Sequence, residues 1–223
     1  VQDLVRKVQE AGTPLGEYVM GALYRGIRIG TRSALILDEK EKKRLIAEDP
    51  GSAVIIRPFL SCKGLKRYLP PDPGGSSLVI VPHGTDMKKY PAVFRHLLRH
   101  KTEPVHRERD RKGEDGEQKK PDVYPWYELL VPGGFADLFE KPKIVFPGIA
   151  RERRFTLDLS GHYCPDTCRI IRSSSLYLLG ILNSRLIWFV IRQTVPPFRG
   201  DYRRLYGPLF EHIPVFVPDF DDR

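Results

Sequence analysis

The chain has 223 residues, 41% of them hydrophobic, enough to bury a sizeable core, which excludes disorder as its default state. Its 37 lysines and arginines against 28 acidic residues give a formal charge of +9, so the outer field favours polyanions and nucleic acid is the first partner to consider. Three cysteines, Cys62, Cys164 and Cys168, are too few and too odd in number for a disulfide framework and point to a reducing, cytoplasmic setting. No apolar stretch reaches the roughly 20 uncharged residues that span a bilayer. The longest, Leu176 to Ile191, is interrupted by Asn183, Ser184 and Arg185 and reads as a core helix.

The chain opens at Val1 with no methionine and no signal or transit pattern, which reads as a piece of a longer protein. Apolar positions at Leu4, Val5 and Val8 predict a short amphipathic helix over Asp3 to Ala11, taken with its Gly-Pro stop as a linker helix over residues 1–16. Tyr18 to Arg25 and Ala34 to Leu37 read as two strands of a hairpin, with the glycine-bracketed segment Gly26-Ile27-Arg28-Ile29-Gly30 as its tip. Asp38 is placed to cap a helix through Ala47, with Leu45 and Ile46 inward, until Asp49-Pro50-Gly51 ends it. An apolar run from Val54 to Leu60 follows.

Pro70 to Ser77 is a surface turn, and Leu78 to Val81 a short buried strand. Tyr90 to His106 predicts a helix with Pro91 in its first turn, Val93, Phe94, Leu97 and Leu98 on one face and a basic opposite face. Residues 107–122 lack any sustained apolar pattern and read as a mobile loop. Strands are expected at Lys143 to Phe146, Arg154 to Leu159 and Thr167 to Arg172, then a long helix from Ser175 to about Gln193. Clustered strands without regular βαβ alternation predict an α+β fold with mixed, largely antiparallel sheets, a long basic helix and a C-terminal apolar helix. The expectation is one domain over residues 17–223.

Catalytic motifs are missing from this reading. Gly26 to Gly30 lacks the spacings that cradle a phosphate, and Asp38-Glu39-Lys40 has the letters of a nuclease site but opens a solvated helix. His162, Cys164 and Cys168 offer three soft ligands where structural zinc takes four, usually in two close pairs, so no metal is assigned and Cys168 is read as packing inward.

Several segments in order resemble the TaqI-like C-terminal specificity domain, the target-recognition region of adenine-specific DNA methyltransferases and fused restriction-modification enzymes. They are Gly26-Ile27-Arg28-Ile29-Gly30 followed by Ala34-Leu35, Arg57-Pro58-Phe59-Leu60, Tyr90-Pro91, Trp126 to Leu129, Pro142 to Pro147, and Tyr177 to Leu186, which contains Leu182-Asn183-Ser184. Departures are Ile29 where the family usually has threonine, and Cys62 and Gly64 where it often has glycine and aspartate.

The resemblance implies a reader of double-stranded DNA that positions a target adenine for a methyltransferase domain, in cis or as a separate subunit. That domain, absent from this chain, carries S-adenosylmethionine; no cofactor and no membrane partner is expected here. An alternative is a stand-alone specificity or docking subunit. On the resemblance, Arg25, Arg28, Thr31, Arg32, Lys63, Lys66 and Arg67 are candidates for the DNA-facing side, and Arg151, Arg153 and Arg154 form a second basic cluster suited to the backbone. Trp126 and Tyr127 are candidates for stacking against a distorted duplex, although they read first as partly buried core aromatics.

Overall fold

The computed structural model describes residues 1–29, 33–100, 127–129 and 135–217. The first stretch holds helix α1 (Gln2–Glu10), strand β1 (Thr13–Pro14), helix α2 (Leu15–Tyr18) and strand β2 (Leu23–Arg25). The next holds β3 (Ile36–Leu37), α3 (Glu39–Glu48), β4 (Ile56–Pro58), β5 (Ser77–Val79) and α4 (Pro91–Arg99). Then come α5 (Phe135–Glu140), β6 (Lys143–Pro147), β7 (Ile149–Ala150), β8 (Thr156–Asp158) and β9 (Cys168–Ile171). The chain closes with α6 (Leu176–Leu182), α7 (Arg185–Thr194), β10 (Arg203–Arg204), α8 (Pro208–Glu211) and β11 (Pro214–Val215). The expected mixed α+β architecture is found: β1 with β11, β2 with β9, β6 with β8 and β9, β10 with β7, and β3 with β5 all pair antiparallel.

Two compact units form, one from residues 1–28, 58–74 and 134–223, the other from 29–57 and 75–133. The first unit is built on a four-stranded sheet in the order β2-β9-β6-β8. Strand β6 reads Lys-Ile-Val-Phe-Pro, and all five residues are buried, as expected of a central strand covered on both faces. Ile144, Phe146 and Ile171 from the sheet meet Leu178, Leu182, Ile187 and Ile191 from α6 and α7 in one core. Each such side chain contributes about 1.5–3 kcal/mol on full burial. Phe146, Phe155 and Phe210 stack within this core, the closest ring centroids 4.8 Å apart.

The single long helix expected from Ser175 to Gln193 is two helices, α6 and α7, broken at Asn183-Ser184. Ser184 ends the run because its hydroxyl caps a new helix, accepting from Ile187 N at 3.1 Å, as Ser175 does for Leu178 N. Asn183 is buried and clamps the backbone of Phe155: its Oδ1 accepts from Phe155 N at 3.3 Å and its Nδ2 donates to Phe155 O at 2.9 Å. The asparagine thus satisfies backbone groups that would otherwise be orphaned in the core.

The expected hairpin is not formed. Strand β2 pairs with β9, β3 pairs with β5, and the two belong to different units. What redirects the chain is the close approach at Gly26, where a Cβ would lie 2.1 Å from Pro165 O. With no side chain there, Ile27 N donates to Cys164 O at 2.8 Å and Ile27 bridges Pro165 in parallel, so the segment is bonded to residues 164–166 and does not turn back on itself.

The second unit contains the sheet β3-β5-β4 with α3 and α4. Asp38 caps α3, its Oδ1 accepting from Glu41 N at 2.7 Å, and Leu45 is fully buried beneath it. Helix α4 starts at Pro91 and buries Val93 and Leu97, but Leu98, expected on the same face, is exposed. It ends at Arg99 with His100 as C-cap, and residues 101–106 of the expected helix lie outside the described residues. The segment 107–122 lies outside the described residues.

Candidate nucleic-acid interface

In the first unit a cleft of about 390 Å³ is lined by Arg25, Lys63, Arg154 and Arg169, with Asp166 as the one carboxylate on its walls among the described residues. Cys62, Thr167, Tyr206 and the turn Pro147-Gly148-Ile149 complete the lining. Each cation is held by a different local device. Arg25 closes β2 and lies at the register position of Arg169 on β9. Like charges directly opposite on paired strands are destabilising, so the sheet bears a cost to hold this pair.

Asp166 relieves part of that cost. Its Oδ2 accepts from Arg25 Nη2 at 3.0 Å, while its main-chain oxygen accepts from Arg169 Nη1 at 2.7 Å. The Arg169 guanidinium also lies 4.4 Å above the Tyr206 ring, a cation–π arrangement. Burial, and then the charge of Arg25 beside it, pull the Arg169 guanidinium below its ordinary value. An arginine in such a place gains from any anion that replaces the lost water. Gly148 lets the turn close on this arginine: a Cβ there would lie 3.1 Å from Thr167 O, and Gly148 N donates to that oxygen at 2.8 Å.

Lys63 sits in the one-turn 3₁₀ helix Cys62–Gly64, capped by Ser61, whose Oγ accepts from Lys63 N at 3.3 Å. Its side chain has no ion-pair partner among the described residues. Arg154 precedes Phe155, whose main chain is gripped by Asn183, so a buried hydrogen-bond clamp fixes where Arg154 leaves the core. Its Nε is buried without a hydrogen-bond partner among the described residues, with Glu152 Oε1 3.8 Å away. A buried N–H without an acceptor costs about 1–3 kcal/mol, which an incoming oxyanion is able to recover.

Cys62 and Cys168 are bridged, with Cα atoms 5.8 Å apart. Three cysteines do not make a framework, yet this pair is joined, and Cys168 is not the free inward-packed thiol that the sequence suggested. A separation of 106 residues hid that β9 begins beside the 3₁₀ turn of Lys63. The rejected metal trio is likewise used up: Cys168 is bonded, His162 Nδ1 pairs with Asp158 Oδ1 at 2.8 Å, and burial pushes the Cys164 thiol up to about 12.

The structure thus brings together Arg25, Lys63 and Arg154, one from each basic segment singled out in the sequence. Arg28, Lys66, Arg67 and Arg151 are exposed and Arg153 half-buried, none of them lining the cleft. Tyr127 lies in the second unit, edge-on to Phe94 with ring centroids 5.8 Å apart, and burial raises its hydroxyl above the ordinary range, which fits the core-aromatic alternative. Thr31, Arg32 and Trp126 lie outside the described residues. Arg169 was missed. The available signal was a lone arginine inside the otherwise apolar strand Cys-Arg-Ile-Ile, a placement that demands a partner.

Comparison with known proteins gives the family. The TaqI-like C-terminal specificity domain matches residues 82–215, more than half of the chain. No curated protein matches the chain. Among solved structures, the type IIL restriction-modification enzyme MmeI in complex with DNA is similar at TM-score 0.56 and 12% identity, over 90% of this chain and 25% of that one. The type IIG restriction endonuclease BpuSI matches at TM-score 0.49 and 13% identity, over 99% of this chain and 26% of that one. The chain therefore spans about a quarter of the length of these solved enzymes. Among the described residues, no helix is long and apolar enough to cross a membrane.

Proposed function

Because the chain belongs to the TaqI-like C-terminal specificity domain family, we propose that it reads sequence in double-stranded DNA for an adenine-specific methyltransferase or restriction-modification enzyme. The catalytic domain, joined in cis or supplied as a subunit, brings S-adenosylmethionine and acts on an adenine that this region positions. The cleft of the first unit takes the DNA. Lys63 and Arg154 meet phosphate oxygens, and Arg25 and Arg169 lie where one guanidinium fork reaches a base edge while the other holds the backbone.

The observation that carries this reading is the placement of Arg25 and Arg169 at one register position, beside Lys63 and a half-paired Arg154, around a single carboxylate. A fold seeking only stability gains little from such an arrangement. A fold that must bind a polyanion gains from the counterions that leave the phosphates when these side chains take their place. The exposed Arg28, Lys66, Arg67 and Arg151 and the half-buried Arg153 extend the positive field around the same unit.

Selection from a pool of randomised duplexes at two salt concentrations tests it. The expected result is enrichment of a short motif, with retention falling steeply at the higher salt and enrichment reduced in Arg25→Ala. Retention at neither salt contradicts the reading and favours a subunit that only docks onto its catalytic partner.

A further inference from the structure

In the second unit the structure gathers three groups that the DNA-reading role does not use. Glu41 on α3, His96 on α4 and His100, the C-cap of α4, each offer one donor atom, all within 4.8 Å of one another, and they are the one such group among the described residues. We propose that Glu41, His96 and His100 bind a divalent transition-metal ion of borderline softness, zinc in chemical class, which ties α3 to α4.

The geometry is specific. Residues four apart on a helix share a face, and the two imidazoles stand with ring centroids 4.8 Å apart, tilted by 53°. His96 is buried and its Nε2–H donates to Ala34 O at 3.0 Å. That bond fixes the tautomer and leaves the Nδ1 lone pair for an ion, the support that metal-binding histidines commonly receive from a main-chain carbonyl.

Donors around a tetrahedral zinc at about 2.0–2.1 Å lie roughly 3.3 Å apart, so no pair needs to close by more than about 1.5 Å. His100 is exposed and Glu41 half-buried, and both are free to turn toward the fixed His96. Exposure of His100 also gives the ion a route in and leaves water as the remaining ligand. Two imidazoles and one carboxylate select zinc, cobalt or nickel over the harder calcium and magnesium. Of the cations on the same two helices, Arg44 pairs with Glu48 at 3.4 Å, and Arg95 shares that carboxylate.

Cobalt titration of the full chain, freed of metal by chelator, reads the site directly. One equivalent of Co²⁺ is expected to give a visible d–d spectrum that zinc abolishes. Glu41→Gln and His100→Ala, which leave the buried His96 and the fold intact by circular dichroism, are each expected to weaken binding by roughly tenfold or more. Zinc is expected to raise the melting temperature of the parent and not of either variant. A parent that binds no cobalt in hundredfold excess, or variants whose spectra and affinities equal the parent's, would overturn the proposal.

Discussion

Among the buried or half-buried positive charges of the first unit, those at the start of β6 and those of the cleft are treated in opposite ways. At the start of β6, Lys143 is fully buried, and its Nζ donates to Asp158 and to the Phe139 carbonyl. Asp158 in turn accepts from His162 N at 3.0 Å and from Ser160 N at 3.0 Å. Every charge there is answered from within the chain. In the cleft, four cations face one carboxylate, two of them share a register position, and Arg154 Nε lacks an acceptor among the described residues. The first arrangement is closed and serves the fold, because a buried ion left alone costs several kcal/mol. The second is open, and its missing anions are supplied by the ligand.

The contrast is sharpest under mutation. Lys143→Met leaves Asp158 buried without its cation and is expected to destabilise the protein by about 3–5 kcal/mol in urea unfolding, with the salt dependence of DNA binding in the folded fraction unchanged. A loss below about 1 kcal/mol would show that the pair is not the closed element described. Cys62→Ser, or reduction, removes a bridge of long span and is expected to cost about 2–4 kcal/mol, read as a lower denaturation midpoint. Arg25→Ala reverses the pattern. It relieves the opposition to Arg169, so stability should change by less than about 1 kcal/mol, while DNA affinity falls by about 1–3 kcal/mol.

The smallest effects are in pH. Burial alone would raise Asp158, but hydrogen bonds from His162 and Lys143 outweigh it and hold the carboxyl below its ordinary value of 3.8. The folded state then binds fewer protons than the unfolded chain, so this contribution is complete above that value and is lost as pH falls through the folded-state value. His96 is also lowered, by burial, so the folded state again binds fewer protons. Its contribution is present above the ordinary 6.5 and declines as pH falls below it. In chelator, His96→Gln is expected to flatten the stability slope in this range, and an unaltered slope would refute the assignment.

The sequence showed what depends on local chemistry. Asp38 announced the start of α3, the β-branched run Ile144-Val145 announced β6, and the three basic segments were visible as letters. It did not show what depends on pairing at a distance. Nothing near Gly26 reveals that Pro165 will lie against it, and so the strand that followed was paired with the wrong neighbour. The apolar period ran straight through Asn183-Ser184, because the cap and the Phe155 clamp that break the helix are polar contacts without periodicity. Arg169 and the bridged cysteines were hidden in the same way, since their partners Arg25 and Cys62 lie more than a hundred residues earlier.

The central claim is that the cleft holds its cations for phosphates. Fluorescence anisotropy with a labelled duplex, over a series of salt concentrations, tests it in the parent and in Lys63→Ala/Arg154→Ala. The logarithm of affinity should fall linearly with the logarithm of salt in the parent, and the slope should shrink by about 0.9 for each phosphate contact removed, or close to two in the double variant. A slope identical in both proteins would contradict the account and place the DNA on another surface of the chain.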